Sequence, residues 1–238
     1  MWIFLGILAA IGAILIGLAL IWSSLSTIAR HHDHHPQEPP KGYRPISDEA
    51  AQERFGRYGE DAVFKMISEI AKESGGYAYQ NVAFQDDSGH SSEIDAILIC
   101  SGGFFAIEVK SNKGIIHGNA KDEQWYAEKE EWQEDKYPKN PILQNERHIM
   151  HLKTMAGKGF PCITSLAIFP YAKSIEEVRS PIVHDCDSAR DFIRGKIAEG
   201  KYKKQTVDRF NNQLKAFLSR YGITHEQHVE NIKRIYKA

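Results

Sequence analysis

Cysteine is scarce. Three occur in 238 residues, at Cys100, Cys162 and Cys186; the number is odd and the spacing matches neither a disulfide framework nor a set of zinc ligands, so they read as reduced core or surface thiols. The formal net charge is only −1, so no global field draws the chain to nucleic acid. No glycine-rich phosphate loop is present, since Gly102-Gly103 reads as a tight turn and Gly56 and Gly59 fall within a helical pattern. Nor is there a G-x-S-x-G elbow or an internal repeat, and nucleotide hydrolysis and acyl transfer therefore lack their usual equipment. What is there, 26% charged and 42% hydrophobic residues, suffices for one ordinary domain with a sizeable core plus an appendage.

The appendage lies at the front. Ile3 to Trp22 is an uninterrupted apolar run; as a helix rising about 1.5 Å per residue it is long enough to cross a hydrocarbon core of about 30 Å. A cleaved signal peptide competes, with Thr27-Ile28-Ala29 as a weak cleavage site, but no basic segment precedes the run and a retained anchor over 1–25 is the favoured reading. Arg30, Lys41 and Arg44 follow the helix and no charged side chain precedes it, so the expected topology is a single pass with the N-terminus outside and the following domain in the cytoplasm. Ala9, Ala13 and Gly17 recur at a spacing that permits close helix approach, which leaves homo-oligomerisation open. Residues 26–46 form a polar linker in which His31-His32-Asp33-His34-His35 and several prolines read as a solvated tether, with transition-metal binding as the alternative.

Ser47-Asp48-Glu49 offers an N-cap and acidic first turn, and Phe55, Ala62, Val63, Met66, Ile67 and Ile70 recur at helical spacing, predicting one amphipathic helix to about Lys72. Strands are expected at Tyr77–Phe84, Ile94–Cys100, Phe104–Lys110, Ile115–His117, Trp125–Ala127, Thr164–Phe169 and Ile182–His184. A helix from Pro141 to Met155 opens on proline, where the missing N–H costs nothing. The order predicts an α/β fold, a central mixed sheet flanked by helices, over 47–187. Residues 188–238 read as a helical tail, with helices at about 188–197, 204–220 and 224–236. After Phe192 the tail holds eleven Lys/Arg against four Asp/Glu, so it could meet phosphates, lie on anionic lipid, or be an ordinary solvated face.

Asp95 and Glu108-Val109-Lys110 are the informative residues. Both lie in apolar strand patterns joined by the Ser101-Gly102-Gly103 turn. A buried carboxylate is costly unless paired or metal-bound, and two of them beside a lysine suit Mg²⁺ or Mn²⁺ held through hard oxygens, with the Val109 carbonyl as a third candidate ligand. The competing reading is a pair of solvated strand ends, or a Glu108–Lys110 ion pair on one strand face.

Further matches in order sharpen this. Gly56-Arg57-Tyr58-Gly59-Glu60, Glu93-Ile94-Asp95, Ile107-Glu108-Val109-Lys110, then Gly114, Gly118, Trp125 and Asn140-Pro141-Ile142-Leu143-Gln144 together resemble the nuclease-related (NERD) domain of the PD-(D/E)xK nuclease superfamily, over roughly residues 50–170. The resemblance implies a restriction-endonuclease-like sheet and metal-dependent phosphodiester hydrolysis of DNA or RNA. It implies that Glu60 and Gln144, on flanking helices, point into the site of Asp95, Glu108 and Lys110. Glu93 is a weaker supporting candidate. Trp125 reads as core rather than a base-stacking platform, and His148 and His151 as helix-surface or core residues rather than ligands. Two other classes remain open: a catalytically silent nucleic-acid-binding module, and a membrane-tethered scaffold.

Overall fold

The computed structural model describes residues 49–129 and 136–237, and the expected anchor, topology and His-rich linker lie outside them. Among the described residues no helix is long and apolar enough to cross a membrane. The described residues form a mixed α/β fold with five helices. In chain order the elements are α1 (Glu49–Ser74), β1 (Tyr77–Gln85), β2 (Ser91–Cys100), β3 (Gly103–Val109), β4 (Gly114–His117), β5 (Tyr126–Glu128), α2 (Pro141–Ala156), β6 (Ile163–Ile168), β7 (Ala172–Ser174) and β8 (Val183–His184). Three helices follow: α3 (Cys186–Ala198), α4 (Lys204–Tyr221) and α5 (His225–Lys237).

The central sheet runs β1-β2-β3-β6-β8. Its first three strands are antiparallel, as short hairpins dictate; β6 joins β3 in parallel and β8 joins β6 in parallel, each after a crossover. β3 is buried at every position because helices cover both faces. On one face Val63, Met66, Ile67 and Ile70 of α1 and Ala189 and Ile193 of α3 pack on Ala96, Leu98, Phe105 and Ile107. On the other, Leu152 of α2 and Val207, Phe210, Leu214 and Phe217 of α4 pack on Ile97, Ile99 and Phe104. α3 begins where Asp185 and Ser188 form a reciprocal capping box, satisfying N–H groups that a helix start leaves unpaired.

The central mixed sheet is as expected, and the structure adds a second one: β4 and β5 form a separate three-stranded sheet, β5-β4-β7, whose third strand, Ala172–Ser174, is not among the expected strands. Gly114 turns the chain there: its φ is +97°, and a Cβ would lie 1.9 Å from the Glu128 carbonyl oxygen, so only glycine fits. β7, Ala-Lys-Ser, is too short and polar to carry an alternating apolar signal.

Candidate functional site

The β2–β3 ladder ends at the Ala96–Ile107 pair, immediately before Asp95 on one strand and Glu108 on the other. There the ladder gives way to a side chain, the Val109 N–H donating to Asp95 Oδ2 at 2.7 Å. Glu108 is 1% exposed. Lys110, just past the end of β3, donates from Nζ to Glu108 Oε1 at 2.7 Å and to Gln144 Oε1 at 2.9 Å. The same-face ion pair weighed from sequence therefore exists, within a larger cluster.

A second irregularity sits at the same level. Ile94 packs with Ile97 and Ile99 in one core cluster while Ala96, Leu98 and Cys100 face the other, so the in-out alternation of β2 changes phase around Asp95. Across from it on β1 the ladder skips from Gln80 to Val82. Asn81, between them, is the one non-glycine among the described residues with positive φ, at 51°. Asn tolerates that region better than most side chains, yet left-handed backbone still costs of order 1 kcal/mol.

Each helix reaches the site for a local reason. Gly59 of α1 lies against the segment after β3, and a Cβ there would meet Ser111 Oγ at 2.0 Å and Pro170 Cγ at 3.2 Å. Ser111 Oγ also donates to the Gly56 carbonyl at 3.2 Å. The glycine lets the helix approach closely, at about 1 kcal/mol of helix propensity, and sets Glu60 beside the strand ends. α2 starts at Asn140, whose Oδ1 accepts from the Ile142 and Leu143 N–H groups while Nδ2 donates to the Asn119, Ala120 and Asp122 carbonyls. That fixes the first turn and with it Gln144. Asn145, fully buried, anchors the next residue by donating to the Ala106 and Leu166 carbonyls of the sheet.

The charges feel one another. Burial first, then Asp95 and Glu93, push the Glu60 carboxyl up to about 7, with His225 opposing. Burial and the Glu108 charge raise Asp95 well above the usual carboxylate range, against Lys110 and the Val109 N–H. Burial also raises Glu108; Lys110 opposes it and Glu60 and Glu93 add to it. Burial works against the Lys110 ammonium, but Glu108 and Asp95 outweigh it and the net shift is upward. Lys110 is thus held as a cation. Glu108 Oε2 is buried with no hydrogen-bond partner. An orphaned carboxylate oxygen in a crowd of raised carboxyls fits a hard dication, for which Asp95, Glu108 and Glu60 would supply oxygens.

The structure thus brings Glu60, Asp95, Glu108, Lys110 and Gln144 from α1, β2, β3 and α2 into one electrostatic and hydrogen-bonded cluster. Glu93 instead pairs with His225 at the start of α5, whose Nδ1 lies 2.9 Å from both carboxylate oxygens. Sequence reasoning missed His225; nothing local distinguishes it from other tail residues. Trp125 is core, 1% exposed, stacked on Phe169 with ring centroids 6.1 Å apart and bonded from Nε1 to the Asn119 carbonyl. A Cβ on Gly118 would strike its ring, at 2.4 Å, which accounts for that glycine. Part of the basic surplus of the tail is already paired, as Arg194–Glu73, Lys196–Glu199 and Lys204–Asp208.

Comparison with known proteins places a family match on the same segment of the chain. An uncharacterized protein of Bacillus anthracis is 31% identical over 119 residues, covering 48% of this chain. The match spans 53% of that relative, about half its length. No solved structure matches. The family model for the nuclease-related domain matches residues 55–170, which hold all five clustered side chains. The chain carries a nuclease-related domain.

Proposed function

We propose that this chain is a membrane-anchored, metal-dependent nuclease that hydrolyses phosphodiester bonds of DNA or RNA at a restriction-endonuclease-like centre formed by Glu60, Asp95, Glu108, Lys110 and Gln144. The observation that carries the reading is the Lys110 ammonium bonded at once to Glu108 and Gln144, beside a buried carboxylate oxygen that has no partner. A binding module has no use for so costly a cluster. Asp95 and Glu108, with the Val109 carbonyl and Glu60 as further candidates, would hold Mg²⁺ or Mn²⁺. Such an ion, when bound, polarises the phosphoryl group and acidifies a water molecule.

The chain's own residues divide the remaining work. Lys110, kept protonated by Glu108 and Asp95, offsets negative charge developing on the phosphoryl oxygens and orients the water rather than deprotonating it. Gln144 holds Lys110 in place through its carbonyl oxygen. The Val109 N–H fixes one Asp95 oxygen, so the other defines the direction of ligation.

The test is incubation of the purified full chain with labelled DNA and RNA, single and double stranded, in Mg²⁺, Mn²⁺ or chelator. Cleavage that needs the cation and is lost in Asp95→Asn and Glu108→Gln supports the reading; binding without cleavage in every condition returns the protein to the silent-module class. The anchor at residues 1–25 rests on the apolar run and on Arg30, Lys41 and Arg44 behind it. A reporter fused after Ala238 should be active in the cytoplasm, and activity only outside it would reverse the topology.

A further inference from the structure

A second cluster lies along α2 from the first. Gln144, His148 and His151 form one stripe of that helix, so His151 stands about 10 Å along the axis from Gln144. Opposite His151 is the β1–β2 turn, where Asp86, His90 and His151 offer ligand atoms all within 4.8 Å of one another. The turn is closed by backbone bonds from Asp86 N–H to the His90 carbonyl, 3.0 Å, and from Gly89 N–H to the Asp86 carbonyl, 3.0 Å.

We propose that Asp86, His90 and His151 form a second cation site, for a borderline dication of the Zn²⁺ class, which fastens the β1–β2 turn to α2. The donor set, two imidazoles and one carboxylate, suits such an ion and not the all-oxygen preference of Mg²⁺. Each ligand is already oriented. Asp86 Oδ1 is occupied by the Ser88 N–H, the Ser88 hydroxyl and the His90 N–H, at 2.9, 2.6 and 3.0 Å. Oδ2 is left facing His151 Nε2, at 3.3 Å. On the far side of that ring Nδ1 lies 2.8 Å from Ser92 Oγ, the outer partner a metal-binding imidazole needs to fix its tautomer. The His90 and His151 rings stand 4.6 Å apart. Tetrahedral ligation at about 2.0–2.1 Å needs ligand atoms about 3.3 Å apart. His90, exposed on its turn, can close the difference. The proposal departs from the expectation that His151 is only a helix-surface or core residue. The site is independent of the nuclease reading.

Cobalt is the probe, because Co²⁺ with nitrogen ligands and low coordination number absorbs strongly in the visible while oxygen-ligated, six-coordinate Co²⁺ does not. The full chain is titrated with Co²⁺ in excess Mg²⁺, carrying Asn in place of His31, His32, His34 and His35 so that the linker contributes no ligand. One equivalent should bind with the intense spectrum. His90→Asn and Asp86→Asn should each weaken it at least tenfold, and Ser92→Ala about tenfold through ring orientation. Zn²⁺ should compete, and should raise the thermal midpoint of the parent but not of His90→Asn. Asp95→Asn should leave the signal intact. Absence of the one-equivalent spectrum, or a spectrum unchanged by His90→Asn, would reduce the cluster to an Asp86–His151 hydrogen bond. A signal lost in Asp95→Asn and kept in His90→Asn would place the cobalt at the other centre and overturn the proposal.

Discussion

Glu60 offers a quantitative test of the crowded carboxylates. Its carboxyl is pushed up to about 7 from 4.5, by burial first and by Asp95 and Glu93 second. As pH rises between those values the unfolded chain releases a proton that the folded protein keeps. The unfolded state then binds fewer protons, so stability falls with rising pH across that window; it is flat below the unfolded value and above the folded one. At about 1.4 kcal/mol per unit the full shift corresponds to roughly 3.4 kcal/mol. Glu60 is only half-buried, and solvent screening brings this to about 2 kcal/mol. Glu60→Gln removes the titration and keeps the size. In urea denaturation followed by circular dichroism, with chelator present, the variant should match the parent near pH ~4 and exceed it by about 2 kcal/mol near pH ~8. Asp95 and Glu108 shift in the same direction, but they remain in both proteins, so the difference reports Glu60. Millimolar Mg²⁺ should narrow the gap by stabilising the ionised parent. A gap independent of pH, or a variant less stable at the alkaline end, would refute the argument that these charges share one buried site.

Lys110→Ala should lower turnover on the order of a hundredfold while metal affinity, read by calorimetry, changes little, if the ammonium serves the phosphoryl group rather than the ion as proposed. Equal turnover would return Lys110 to a strand-end ion pair. Gly118→Ala should cost about 2 kcal/mol in chemical denaturation, because the new methyl meets the buried Trp125 ring and not a flexible side-chain end; an unchanged midpoint would mean the ring has room to move. Truncation after Asp187 should abolish cooperative unfolding, because it strips Ala189, Ile193, Val207, Phe210, Leu214 and Phe217 from the core and each large side chain contributes about 1.5–3 kcal/mol. A folded 47–187 fragment with a sharp thermal transition would show that α3 and α4 are dispensable.

What was legible in the sequence was whatever announced itself locally. Asp95 and Glu108 stood out because a charge in an apolar strand needs a reason, and Pro141 because proline has a fixed place at a helix start. The main strands followed from short apolar runs and the first described helix from apolar periodicity. β7 did not, since Ala-Lys-Ser has no period to read. Nor did the phase change at Asp95, which sits opposite Asn81 and its positive φ. His225 and the Asp86–His90–His151 cluster escaped for a different reason. Their partners lie on other elements, and an imidazole in a polar helix looks the same whether it faces water or a carboxylate.

The long-range contacts explain how a net charge near zero coexists with so acidic a centre. Glu60, Asp95 and Glu108 gather around one lysine, Glu93 on its His225 partner adds to their mutual repulsion, and that repulsion opposes folding at neutral pH. What holds them is structure from every part of the described chain: Gly59 admits α1, the Asn140 cap sets α2, Asn145 bonds to the sheet, and His225 brings the start of α5 to Glu93. The compensating positive charge is not in the site. It lies in the tail, outside residues 55–170, where eleven basic residues follow Phe192 and three of them are paired with acidic groups. A dication at the centre relieves the repulsion locally, and a polyanion attracted by the tail would meet a site whose own field repels it until that ion is bound. On the proposed reading, the electrostatics call for the cation first and the phosphodiester second.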